Sequence, residues 1–211
     1  AGRTEIVRAI YGADKVKRKE IQIEGEAVKI MSPRDGKKCG IAFVPEDRKQ
    51  QGLALPFSVE SNISMANLKK LKKGMFLSPD KERKMAEEKI SELLIKTPSP
   101  ASVIVNLSGG NQQKCIIGRW LETEPKILIM DEPTRGIDVG AKYEIYCAIN
   151  DLAKSGKAVI VISSEMPEIL GTCDRTYVLN EGCIAGEIFK EDLSQERIMK
   201  CIMQHNNRKG E

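Results

Sequence analysis

From residue 107 onward the hydrophobic pattern of this chain switches repeatedly between two periods. GGNQQKCIIGRWLE reads as a helix, KILIMD as a short apolar strand, VGAKYEIYCAINDLAKSG as a second helix and AVIVISS as a second strand. Strands this short, apolar and rich in β-branched residues have no polar face to offer water. They belong inside a parallel sheet covered by helices on both faces, and the fold class is α/β.

The rest of the chain is read around that centre. Residues 4 to 11 form a short helix, and IQIEGEAVKI (21 to 30) alternates about a Gly turn as a hairpin does. GIAFVPEDR is a core strand running into a loop. Residues 81 to 95 place Ala86, Ile90, Leu93 and Leu94 on one face of a helix with charges opposite. TYVLNEGCIAGEIF turns at Asn180 to Gly182 as a second hairpin, and the residues from 49 to 106 are expected to form a helical lobe inserted into the α/β core. AGRTEIVRAI carries neither an initiator methionine nor a charged-then-apolar leader, and it reads as a sequence entered in mid-motif.

At 211 residues and 41% hydrophobic content, the chain can bury one core with room for a small second lobe. Its 34 basic and 30 acidic residues alternate along the sequence and leave a net charge of +4, so nucleic-acid binding is not indicated. No apolar run approaches the roughly 20 residues that span a bilayer, because ILIM and AVIVI match buried strands; a membrane role would be peripheral. Cys39, Cys115, Cys147, Cys173, Cys183 and Cys201 form no C-x-x-C pair and sit mostly in apolar stretches, which points to reduced core thiols and a cytosolic compartment. His205, the only histidine, lies in the polar tail HNNRKGE and reads as a solvated terminal residue.

The chemistry gathers in two motifs. ILIMDEP (127 to 133) ends a buried strand with adjacent carboxylates, Asp131 and Glu132. In phosphoryl chemistry the first can hold Mg²⁺ and the second can orient or deprotonate an attacking water. LSGGNQQK (107 to 114) is a Ser-Gly-Gly turn opening a helix, where free N–H groups and the positive dipole end favour phosphate.

These two motifs, with the interval between them, resemble the ATP-binding cassette (ABC) family. The resemblance implies a P-loop NTPase, RecA-like core from residues 1–48 and 107–211, with a parallel sheet, a small antiparallel β region and an inserted helical subdomain (49–106) that contacts a permease. It implies ATP and Mg²⁺ as cofactors. Ser108, Gly109, Gly110 and Gln112 would form a signature that contacts ATP held by an opposing cassette. Asp131 would be the Walker B aspartate, Glu132 the catalytic glutamate and Asp138 the D-loop aspartate. Gly2, Arg3 and Thr4 would be the end of an altered Walker A motif, with Thr4 and Asp131 toward Mg²⁺. Glu46 of VPEDR stands at the Q-loop position and Ser164 near the usual switch histidine, both on the ATP-binding side.

Arginine in the lysine position, Glu46 for glutamine and serine for the switch histidine all weaken this chain's own site while its signature stays intact. The same words, GRTE, VPEDRK, NLSGGNQQK, DEPTRGIDVGAK and ISSEMPE, are similar to the second cassette of fused ATPases of ribose, galactose and xylose importers. That resemblance implies a partner cassette fused upstream, transmembrane permease subunits, an external sugar-binding protein and a place at the cytoplasmic face of the cell membrane. It also leaves open a catalytically silent cassette that binds nucleotide and stabilises the dimer.

Overall fold

The computed structural model describes the backbone of residues 2–209 and the side chains of residues 2–205; Ala1, Gly210 and Glu211, which entered the reading of the two chain ends, lie outside it. Three parallel strands form the centre, β3 (Ile41–Val44), β6 (Ile127–Asp131) and β7 (Ala158–Ile162), in that spatial order. Side chains alternate across the pleat. Ile41, Phe43 and Ile129 meet Val7 and Tyr11 of α1 (Arg3–Tyr11) on one face. Ala42, Val44, Leu128 and Met130 meet α5 (Gly109–Leu121) and α6 (Val139–Lys154) on the other, through Cys115, Ile116, Ile145 and Ile149. Burial on both faces explains why neither β3 nor β6 alternates with polar residues. AVIVI does not follow that pattern. Among the described residues β7 has a strand on one side only, its burial alternates, and Ile160 is 41% exposed.

Two hairpins form as the pattern suggests, β1 (Ile21–Ile23) with β2 (Glu26–Val28) and β8 (Arg175–Asn180) with β9 (Cys183–Phe189). Each turns through two residues in the left-handed region, Glu24–Gly25 and Glu181–Gly182, which suits the right-handed twist of the strands. Beyond β9 the chain continues as α8 (Gln195–Lys209), a helix that the polar-tail reading did not include. Ile198, Cys201 and Ile202 recur at helical spacing, and they pack on Val178 and Ile188 of the hairpin. His205 is therefore half-buried, and its Nε2 lies buried with no hydrogen-bond partner among the described residues. The six cysteines are free thiols, of which only Cys115 is fully buried and Cys183 is exposed.

The segment from 49 to 106 holds α3 (Val59–Ser64), a tiny hairpin of β4 (Lys72–Lys73) and β5 (Phe76–Leu77), and α4 (Pro79–Glu92). Val59, Ile63, Leu71, Met85, Ala86 and Ile104 share one continuous core with α5 and the sheet. Buried Arg119 of α5 fastens the segment by donating to the carbonyls of Asn62 and Gly52, both at 2.6 Å, and to Asn62 Oδ1 at 2.7 Å. α4 stops before the expected residue 95. Leu94 adopts φ 50° and is 73% exposed, while the N–H of Ile95 returns to the Ile90 carbonyl at 2.9 Å, a Schellman closure that removes Leu94 from the packed stripe. Among the described residues no helix is long and apolar enough to cross a membrane.

Candidate functional site

The strands are parallel, so their carboxyl ends open on the same edge, where ligands of open α/β sheets bind. Four expected site residues arrive there in sequence order, Glu46 after β3, Asp131 and Glu132 at the end of β6, and Ser164 after β7. The first turn of α1 adds Arg3 and Thr4. Arg3 donates to the Ser163 carbonyl at 2.7 Å and lies 3.6 Å from Glu132, and Ser164 donates to Glu132 at 3.0 Å. Glu132 takes φ 46°, a conformation that costs a non-glycine residue energy. Its N–H bonds the Ile162 carbonyl at 2.8 Å, which holds the turn and aims the carboxylate at the loop after β7.

Asp131 is fully buried. Burial pushes its carboxyl above the usual range, the Thr4 hydroxyl pulls the other way, and the neighbouring Glu132 charge pushes up again. The Thr4 hydroxyl lies toward the carboxylate without completing a hydrogen bond, and neither Asp131 oxygen has a hydrogen-bond partner among the described residues. Two hard oxygen donors, one an orphaned buried carboxylate, fit Mg²⁺, which takes one or two protein ligands and completes its shell with water and phosphate. No group of three or more His, Cys, Asp or Glu among the described residues is arranged to hold a metal.

The glycine turn lies at a separate place. Ser108 is the N-cap of α5 and is exposed; Gly109 and Gly110 are its first helical residues, and the N–H groups of Gly109, Gly110 and Asn111 have no backbone partner among the described residues. Ser108 offers no side-chain cap, since its hydroxyl accepts from the Asn111 amide at 2.9 Å instead. A Cβ on Gly110 would lie 2.6 Å from the Ala141 Cβ of α6, so the position excludes any side chain. Gln112 does not face outward: it is 5% exposed, donates to the Ile104 carbonyl at 3.2 Å and accepts from Arg48 at 3.3 Å.

Arg48, which the sequence reading passed over inside VPEDR, also reaches the Arg135 carbonyl at 3.4 Å, and burial lowers its pKa. Glu46 pairs with Arg135 and makes none of the contacts that join Arg3 to Glu132. A recess of about 430 Å³ runs between Glu46, Asp47, Arg48, Lys49 and Arg135, and a second of about 340 Å³ reaches Gly109 and Gln112. Asp138 is exposed and caps α6 by accepting from the Ala141 N–H at 2.9 Å. Glu168 of α7 (Met166–Thr172) was also missed. It is fully buried behind Ser163 and Thr134 with its carboxyl pushed up by burial, and only its acidic neighbours hint at this in the sequence.

The family model for ABC transporters matches residues 1–135. A ribose import ATP-binding protein of Oceanobacillus iheyensis is 49% identical over 94% of this chain, and a xylose import ATP-binding protein of Thermoanaerobacter pseudethanolicus is 49% identical over 95% of it. The chain spans 40% of the length of each of these relatives. Among solved structures, a dimeric ATP-binding cassette in a post-hydrolysis state with ADP and Pi superimposes with TM-score 0.75 at 23% identity, covering 90% of this chain and 81% of that one. A nucleotide-free cassette from an ABC transporter gives TM-score 0.76 at 22% identity over 95% of this chain and 83% of its own length, so the fold is that of the P-loop ATPase cassettes. The family match over the phosphate-side cluster and the glycine turn, together with close relatives along nearly the whole chain, shows that this chain belongs to the ABC transporter family.

Proposed function

We propose that this chain is the second of two fused cassettes in the ATPase subunit of a monosaccharide importer, and that its turn at Ser108–Gly110 closes on ATP held by the other cassette. One observation carries the reading: three N–H groups without a partner among the described residues stand in the first turn of a 13-residue helix, behind exposed Ser108 and beside recesses walled by Arg48, Lys49 and Arg135. That arrangement suits the terminal phosphates of a nucleotide presented from outside. Relatives of 47 to 49% identity carry ribose and xylose import names, which supports a sugar as cargo and a permease, a fused cassette and a sugar-binding protein as partners.

In this reading residues 1–48 and 107–211 are the nucleotide-binding core, and 49–106 is the helical subdomain that faces the permease at the cytoplasmic side of the membrane. On the chain's own side, Gly2, Arg3, Thr4, Glu46 and Ser164 flank the nucleotide. Thr4 and Asp131 would hold Mg²⁺, which when bound neutralises developing phosphate charge. Glu132 orients and deprotonates the attacking water, and Asp138 ties the cassettes together. Gln112 supports the turn from inside instead of touching nucleotide.

The contacts of Arg3 and Ser164 with Glu132 favour a second reading, a cassette that binds nucleotide and stays catalytically silent. The assembled transporter with Glu132→Gln separates the two. A fall in ATPase of about a hundredfold or more supports a working base, whereas an unchanged rate supports the silent cassette. For the chain alone the expected result is no substantial ATP hydrolysis, and steady turnover abolished by Glu132→Ala would overturn it.

A further inference from the structure

The β4–β5 hairpin has no role in the nucleotide site, and it joins a run of lysines to exposed apolar side chains. From Ser61 to Pro79 the chain contains Lys69, Lys70, Lys72 and Lys73 and no acidic residue, so this stretch carries as much net positive charge as the whole chain, +4. At its tip, Met75 is 96% exposed, Phe76 80% and Leu77 50%. The hairpin turns through Gly74 and Met75 with Gly74 at φ 65°, as a two-residue turn opening on glycine requires.

The tip is held out firmly. Leu71, 1% exposed, anchors the base in the core, and the Ser78 N–H closes on the Leu71 carbonyl at 2.9 Å. Lys81 donates to the Lys72 carbonyl at 2.8 Å, and Lys70 is tied back to Glu124 at 2.7 Å. Lys69, Lys72 and Lys73 are exposed and have no carboxylate partner among the described residues. A convex apolar tip collared by free ammonium groups needs no matching cavity. A fluid interface with an anionic surface can take the apolar side chains between its headgroups while the lysines meet the phosphates.

We infer that the β4–β5 hairpin is a membrane-surface anchor, with Met75, Phe76 and Leu77 entering the headgroup region of a bilayer rich in anionic lipid and Lys69, Lys72 and Lys73 holding its phosphates. The inference is independent of the reading of the ATP site. It is tested by co-sedimenting the 211-residue chain with protein-free vesicles, either pure phosphatidylcholine or equal parts phosphatidylcholine and phosphatidylglycerol. Binding is expected to the anionic vesicles and to weaken with added salt. Met75→Ser with Phe76→Ser should lower partitioning about tenfold or more, and Lys72→Gln with Lys73→Gln roughly twentyfold. Both variants alter only exposed side chains, and their melting curves should overlay the parent. Equal binding by parent and variants, no preference for the anionic vesicles, or binding only to native membrane vesicles that contain proteins would overturn the inference, the last in favour of a protein partner.

Discussion

At the glycine turn, position is set by packing: Gly110 lies against Ala141 with no room for a side chain, Gln112 is buried, and Arg48 braces both the turn and the Arg135 loop. At the carboxylate pair, position is set by charge. Glu132 is held by Arg3, Ser164 and one backbone bond in a left-handed conformation, while Asp131 keeps two buried oxygens without partners. A packed surface meets a ligand with little rearrangement. A cluster whose charges are engaged with one another must exchange those partners before it can bind or react. The chain therefore has one surface set by packing and one restrained by charge, a difference that supports the proposal that the turn serves a partner's ATP.

That contrast can be broken at either end. Glu132→Gln in the assembled transporter carries the largest expected effect, a loss of about a hundredfold or more in turnover, read by phosphate release. Gly110→Val should follow. It forces α5 from α6 at about 1–3 kcal/mol in stability, and displacing the N–H groups should lower turnover by roughly tenfold to a hundredfold. If Gly110→Val leaves turnover intact, the packed turn is not the working surface. Arg3→Lys should strengthen nucleotide binding at the chain's own site by a few-fold, because a compact ammonium cannot hold both the Ser163 carbonyl and Glu132; equilibrium binding of a fluorescent ATP analogue reads this. An unchanged affinity would show that the Arg3 contacts do not restrain the site.

Two smaller effects sharpen the picture. Arg48→Ala removes two long hydrogen bonds and should cost about 1 kcal/mol or less, with faster amide exchange confined to residues 109–112. Glu168 supplies a pH signature. Its carboxyl is raised above 4.5 in the fold, so the folded chain holds that proton more tightly than the unfolded one. The contribution of Glu168 is fully present below the unfolded value and is lost as pH rises through the folded value. The melting temperature of the parent relative to Glu168→Gln should therefore be highest at low pH and should fall as pH rises.

How far the sequence disclosed this depended on whether a residue's role was local. The strand ending in Asp131 and Glu132, the hairpins and the Ser108 turn are short-range events, and periodicity with turn chemistry placed them. The end of α4 was misplaced because Leu94 takes a left-handed cap that glycine usually fills, and α8 was missed because its apolar positions are few among polar ones. Gln112 looked like a ligand because it follows the glycines, yet the helix turns its side chain inward. Arg48 and Glu168 act on partners 64 and 5 or more residues away, Gln112 for the one and Ser163 and Thr134 for the other, and no local pattern announces such a pairing.

The outer border of β7 has a consequence for anyone handling the chain. Among the described residues no strand pairs with that border, and a row of main-chain donors and acceptors with apolar Ile160 beside it is a template on which any extended segment can add itself. In concentrated solution the chain should find that segment on its neighbours, so light scattering that climbs with concentration, and falls when a lysine replaces Ile160, would trace self-association to this one rung.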